Sequence, residues 1–294
     1  MAERSAMRLM SAFLALFLLL DGALLYKVQK NIEGLNAGGA RVSELTPVPD
    51  GAYLKNISLG QASLLADILW LKAIQVIGGR TISPQKAKWL YSAVDAALTL
   101  DPKFWYMSEE GGVFLSAACS QYRFSNRIFR KGFDNNPRNW RLPFYLSTNY
   151  FLYLKRYKLA AYYMGRAARL PGRPAFVPLL ASRLYAQAGD PRYGLELTEA
   201  IYENTRNEKI RKALLERMKQ LQVEINLDAL GKSINTYKSR FGRYPASVRE
   251  LLAGGFIKAV PVDQLGGKYI INPVTGEVSN TKLPRRLMIY PKGK

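Results

Sequence analysis

The chain has 294 residues, 43 of them Lys or Arg against 22 Asp or Glu, so its formal net charge is +21, and it has no histidine and one cysteine, Cys119. Without imidazole there is no Ser–His or Cys–His pair and no histidine metal ligand, while a lone cysteine excludes an intrachain disulfide and a Cys-rich metal site. A hydrophobic content of 48% with 12% aromatics points to a folded core despite the charge, and the charge itself points to an anionic partner.

Residues 9–26 form an 18-residue run that is apolar except for Ser11 and Asp21, just long enough to span a bilayer. A cleaved signal peptide is the rival reading, because Arg4 and Arg8 precede the run. The stretch after Asp21 has no small-x-small cleavage site, which favours an uncleaved anchor over residues 1–27. Lys27 and Lys30 follow the run, so charge alone leaves its orientation open. Asp21 is either a contact for a partner helix in the membrane or a carboxylate at the interface. Residues 28–58 carry Gly34, Gly38, Gly39, Pro47 and Pro49 and are expected to be a tether. Residues 59–77 are apolar again, with Asp67 and Lys72 inside, and are expected as a buried amphipathic helix opening a helical domain over 59–229.

A repeat of about 35 residues follows. Pro102, Pro137 and Pro171 stand 35 and 34 residues apart, each closing a helical segment, and the small residues Ala97, Gly132 and Ala167 recur at intervals of 35. Between the prolines lie two helical stretches, first an aromatic-rich one (104–118, 140–154, 176–188) and then a second reaching the next proline. Tyr157 and Gly189-Asp190 mark the corners between them. A helix pair of this kind buries its faces only by stacking on its neighbours. The fold expected is mainly α: a transmembrane helix, an α-solenoid of about three helix pairs, and a small α+β module at the C-terminus.

The proline closing the second helix, the small residues at the crossing and the late aromatics Tyr150 and Tyr185 of the first helix resemble the tetratricopeptide repeat over residues 89–205. The segments 59–73, Thr99-Leu100-Asp101-Pro102 and 136–144 resemble a membrane-anchored tetratricopeptide family of bacterial envelopes. That resemblance implies an inner-membrane protein facing the periplasm, in a family without a defined function. A basic repeat of this length also invites comparison with pentatricopeptide RNA binders, against which the apolar run and the terminal prolines count.

From residue 230 the texture changes to a tail. After a long helical stretch over 207–239 come Phe241-Gly242-Arg243-Tyr244-Pro245, a short helix over 247–253, and a β-hairpin of 268–272 and 277–279 around Pro273-Val274-Thr275-Gly276, with a third strand expected at 287–290. The order Tyr237, Gly242-Arg243-Tyr244-Pro245, Leu251-Leu252, Gly255, Pro261, Asp263, Gly266-Gly267, Tyr269 resembles the helix-to-sheet part of type II secretion pseudopilins and type IV pilin-like proteins. The chain departs from them in lacking their prepilin cleavage signature and in carrying the intervening repeats. With only Asp263 and Glu277 acidic after Glu250, a pseudopilin-type calcium site is not expected.

The charge is uneven. Residues 123–173 carry a net +11 and residues 230–294 a net +9, while the rest is nearly neutral. Arg123, Arg127, Arg130 and Lys131 share one helical face, and Lys158, Arg166 and Arg169 fall on the equivalent helix of the next repeat. This basic surface is a candidate for anionic lipid headgroups or an acidic protein, or is a solvated face. In the repeat register Tyr106, Phe144, Phe151 and Phe176, with Arg141 and Arg183 between them, fall on the groove side and suit a peptide or helix from a partner; inter-repeat core is the alternative for each aromatic. Trp70, Trp89, Trp105 and Trp140 read as core. Glu109-Glu110 reads as an exposed first-turn pair, and Cys119 as a buried helical residue. No nucleotide-binding loop, catalytic set or cofactor site is visible. The function expected is a non-enzymatic, membrane-anchored scaffold or assembly factor of an envelope complex, type IV pilus or type II secretion machinery first. The alternative is a binder of nucleic acid or another anionic polymer.

Overall fold

The computed structural model describes residues 45–79 and 83–287 and, among the first 44, only Gly22, Ala23, Tyr26, Lys27 and Lys30, all five helical. Apart from Gly22, Ala23 and Tyr26, the expected membrane run lies outside the described residues, as does Asp21. Among the described residues no helix is long and apolar enough to cross a membrane. Residues 1–47 and 48–294 are two separate units, and the second is mainly helical, with eleven described helices and one two-stranded sheet.

Helix α1 (Gly51–Ile57) is followed by four helix pairs. These are α2 (Ala62–Ile77) with α3 (Pro84–Leu100); α4 (Trp105–Ala117) with α5 (Tyr122–Asn135); α6 (Arg141–Thr148, continued by a π-helical turn, Asn149–Tyr153) with α7 (Tyr157–Arg169); and α8 (Phe176–Gln187) with α9 (Pro191–Glu203). Each helix packs on the next, and α2 also on α4, α3 on α5, α4 on α6. The first helices of the pairs thus form one layer and the second helices another.

The period seen in the sequence has a backbone cause. Helices α3, α5 and α7 stop at Leu100, Asn135 and Arg169, two residues before Pro102, Pro137 and Pro171, because proline offers no N–H and disfavours helical geometry in the residue before it. Inside each of the last three pairs the corner turns on one left-handed residue: Ser120 (φ 55°), Lys155 (φ 52°) and Gly189 (φ 84°). The residue after it donates its N–H back into the first helix, Gln121 to Leu115 O at 2.7 Å, Arg156 to Tyr150 O at 2.8 Å and Asp190 to Tyr185 O at 2.9 Å. Only the third corner uses glycine, which takes this conformation without a Cβ penalty.

Small residues set the crossings. Gly132 of α5 lies so close to α4 that a Cβ there would fall 2.2 Å from Ser108 Oγ, and one on Gly165 would meet Tyr185 Oη at 2.7 Å. Two consecutive hydrophobic clusters fill the stack. Leu90, Leu98, Met107, Leu115 and Ile128 belong to the first, and Phe129, Leu142, Leu146, Met164, Leu184 and Leu214 to the second.

Three expectations are corrected. The tether does not extend to residue 58: Asp50 caps α1, accepting Ala52 N–H at 2.8 Å, and Gly51 is buried where a Cβ would lie 2.6 Å from Thr99 Cβ. Helix α2 is buried on one side only, through Ala66, Trp70 and Ala73. Its other side exposes Leu64, Ile68, Leu71 and Ile74, Leu71 by 60%. Cys119 lies in the turn after α4 and is partly exposed, not a buried helical residue, and burial raises its thiol pKa.

Helix α10 (Glu208–Phe241) runs through the expected boundary at 229/230 without a break. Its N-terminal part packs on α8 and α9, while Val223, Leu227, Leu230, Ile234 and Tyr237 form a third core with the tail residues Val248, Leu251, Ile271 and Val278. The helix ends at Gly242 (φ 72°), whose N–H meets Lys238 O. Helix α11 (Val248–Ala253) follows, capped by Ser247. Strands β1 (Tyr269–Ile271) and β2 (Val278–Asn280) pair antiparallel with Ile271 opposite Val278, as the hairpin pattern predicts. Asp263 organises the preceding loop, accepting from Leu265 N, Gly267 N and Asn280 Nδ2 at 2.8, 2.5 and 2.9 Å. Leu287 is not in a strand, and residues 288–290 lie outside the described residues.

Candidate functional site

The first-helix layer carries a continuous ladder of aromatic rings and one guanidinium. Trp70 on α2 meets Tyr106 on α4 edge-on at 6.3 Å, and Tyr106 meets Trp105 at 6.0 Å. Arg141, at the start of α6, lies over both Trp105 and Trp140, at 5.8 and 5.1 Å. Trp140 then meets Phe144 at 5.8 Å, and Phe144 meets Phe176 of α8 at 6.1 Å. The contacts are edge-on and cation–π, the arrangements that ring quadrupoles favour. Tyr106 and Phe176 are about half exposed and Arg141 is exposed, so the ladder faces outward.

A carboxylate lies beneath it. Glu109 of α4 is 9% exposed, so it is not the solvated first-turn residue the sequence suggested; its neighbour Glu110 is exposed. Glu109 Oε1 accepts from Tyr145 Oη at 3.2 Å and lies 3.6 Å from Arg141 Nε, while Oε2 is buried with no partner among the described residues. Burial raises the Glu109 pKa, and the Arg141 charge and the Tyr145 hydrogen bond offset only part of that rise.

Of the six groove candidates, Tyr106, Arg141, Phe144 and Phe176 are brought together in the ladder. Phe151 is not on this face: it is 6% exposed, packed in the second core cluster against Tyr157. Arg183 sits two helical turns along α8 from Phe176, on the same side, with its Nε buried and unpartnered among the described residues.

The basic surface divides. Arg123, Arg127 and Arg130 are exposed along α5, and Lys158 is exposed at the start of α7. Arg127, Arg130 and Lys131 line an open hollow with Asp134 and Asn135. Lys131, however, is a strut: its Nζ donates to Asp95 O, Asp95 Oδ1 and Thr99 Oγ1 at 2.6, 2.9 and 2.6 Å, joining α5 to α3. Arg166 lies 4.5 Å over the Phe133 ring, and Arg169 donates to Tyr193 Oη at 3.0 Å. These side chains tie α7 to its neighbours while keeping their charge at the surface.

Three ladder members were expected as core. Of the tryptophans only Trp70 is buried, at 8% exposure; Trp89, Trp105 and Trp140 are partly exposed. A signal was present: Trp105, Trp140 and Phe176 recur at 35 and 36 residues, which places one large ring at the same corner of each pair. Glu109 had no such signal. No protein-family model and no curated protein matches this chain.

Proposed function

We propose that this chain is a non-enzymatic, membrane-tethered scaffold of the bacterial envelope, whose tetratricopeptide-like solenoid binds a protein partner along the first-helix face. The observation that carries the reading is the outward ladder from Trp70 to Phe176, with exposed rings at Tyr106 and Phe176. The few residues that dominate binding energy in protein interfaces are enriched in Trp, Tyr and Arg, and a row of rigid rings across successive repeats fits a helix or an extended peptide. The apolar run of residues 9–26 supports the tether. The tail's resemblance to pseudopilins makes pilus or type II secretion machinery the first setting to test.

The test is photo-crosslinking of the full chain in its native membrane, with the probe at Phe176 or Tyr106 and, as a control, at Leu252 on α11. A discrete adduct from the ladder positions alone supports the reading; equal adducts from all three positions, or none, refute it. A second reading, binding to an anionic polymer or lipid surface, draws on the exposed Arg123, Arg127 and Arg130. Salt-sensitive binding to oligonucleotides or anionic vesicles that Arg127→Glu with Arg130→Glu abolishes would favour it.

A further inference from the structure

Helix α2 opens the repeat stack with an apolar residue on both of its sides. Ala66, Trp70 and Ala73 are buried, whereas Leu64, Ile68, Leu71 and Ile74 on the opposite side are exposed, Leu64 by 54% and Leu71 by 60%. The terminal unit of a stacked-repeat protein ordinarily turns a polar face outward to stay soluble. The exposed residues also follow a specific spacing. Leu64, Ile68, Leu71 and Gln75 stand 4, 3 and 4 residues apart, all of them exposed. That alternation is the seam of a coiled coil, and leucine at d (64 and 71) with isoleucine at a (68) is the choice that favours two parallel strands.

The charges beside the seam choose the orientation. Asp67 at g and Lys72 at e flank it on opposite edges; both are exposed, and neither forms an ion pair among the described residues. In a parallel pair a g residue faces the e residue of the next heptad on the other helix. Asp67 of each copy then meets Lys72 of the other, which gives two opposite-charge pairs across the seam. An antiparallel pair sets g beside g and e beside e, and leaves these charges unmatched. We propose that α2 is a dimer interface, pairing in parallel with α2 of a second copy of this chain and burying Leu64, Ile68 and Leu71 against their counterparts. Such a patch is self-complementary, as a twofold interface requires. Gln75, a polar residue at an a position, penalises other registers. The pairing needs neither the membrane tether nor a protein on the ladder.

The experiment is disulfide crosslinking of the full chain in its native membrane, with Cys119→Ser as background and one new cysteine at a time. Leu64→Cys and Leu71→Cys should each give a disulfide-linked dimer under mild oxidation, because facing d positions of a parallel pair lie within disulfide reach. Ser63→Cys, exposed but turned away from the seam, should not. Adding Asp67→Lys to Leu71→Cys sets lysine against lysine and should cut the dimer yield about tenfold. Adding Lys72→Asp as well recreates both opposite-charge pairs and should restore it. No dimer from either seam position, an equal yield from Ser63→Cys, or a yield that Asp67→Lys leaves unchanged would overturn the proposal. So would Leu71→Cys linked only to a different protein, or a monomer whose cysteine is shielded from a water-soluble maleimide, which would give the face to another partner or to lipid. Crosslinking at Phe176 reads the ladder separately, so either idea can fail while the other holds.

Discussion

Arg286, near the end of the described tail, forms an ion pair with Glu224 in the middle of α10, 62 residues earlier. The Glu224 side chain is 2% exposed and also accepts the Leu287 N–H at 2.5 Å, while the second arm of Arg286 reaches Asp228 Oδ1 at 2.6 Å. One buried carboxylate therefore fixes the end of the tail to the helix that also closes the repeat stack. Arg286→Ala would strand that carboxylate. The expected cost is about 2–4 kcal/mol, toward the low end for a buried pair because Arg286 is one third exposed. Pairing it with Glu224→Met should cost less than Arg286→Ala alone, as a double-mutant cycle in urea would show.

Gly132→Ala places a methyl group where Ser108 Oγ now sits, 2.2 Å from the ideal Cβ position, with both residues buried. Overpacking of this kind costs about 1–3 kcal/mol. Ser108→Gly opens the space, so the double variant should regain part of the loss, measured as the shift in urea midpoint at unchanged m.

The corners predict a gain. Lys155 holds φ at 52° and Ser120 at 55°, a position that glycine fills in the fourth pair. Lys155→Gly should stabilise by about 0.5–1 kcal/mol, since relief of left-handed strain outweighs the added freedom of the unfolded chain. Thermal unfolding tests this directly, and a fall in Tm would mean the Lys155 conformation carries no strain.

Glu250 makes the stability of the tail acid-sensitive. The Arg243 hydrogen bond first, then those from Tyr237 and the Ala246 N–H, lower its pKa to about 2. The folded value lies below the unfolded one of about 4.3. Its contribution is therefore complete above the unfolded value and is lost as pH falls toward 2. Glu250→Gln should flatten that part of the stability profile and leave the pH 5–7 region parallel to the parent, as urea unfolding at stepped pH would read out.

Exposure separates the ladder from the core. Phe176, 51% exposed, should tolerate Phe176→Ala with less than about 1 kcal/mol of stability lost, whereas Phe151→Ala, at 6% exposure, should cost about 3–5 kcal/mol. Under the proposed function only the first removes the partner adduct while leaving the fold intact. Equal costs at the two positions would contradict the assignment of faces.

Much of the helical architecture was legible in the sequence because it is local. The prolines at 102, 137 and 171, the Gly189-Asp190 corner and the turn residues Pro273-Val274-Thr275-Gly276 act through the backbone of their own segments, and the helix ends and the hairpin formed where these signals put them, whereas the corners at Ser120 and Lys155 carried no such signal and Tyr157 begins a helix. The helix pairs could be anticipated too, because a repeat of 35 residues implies stacking. Which side of each ring faces water could not. Trp105 and Phe151 are both large aromatics of a first helix, and only the contact between neighbouring pairs made one a rung of the ladder and the other core. Charge followed the same rule. Composition gave +21, but it took tertiary contacts to turn Lys131 into a strut, bury Glu109 under Arg141 and hold Arg286 on Glu224. A charge is counted along the chain, whereas its solvation and its partner depend on residues tens of positions away.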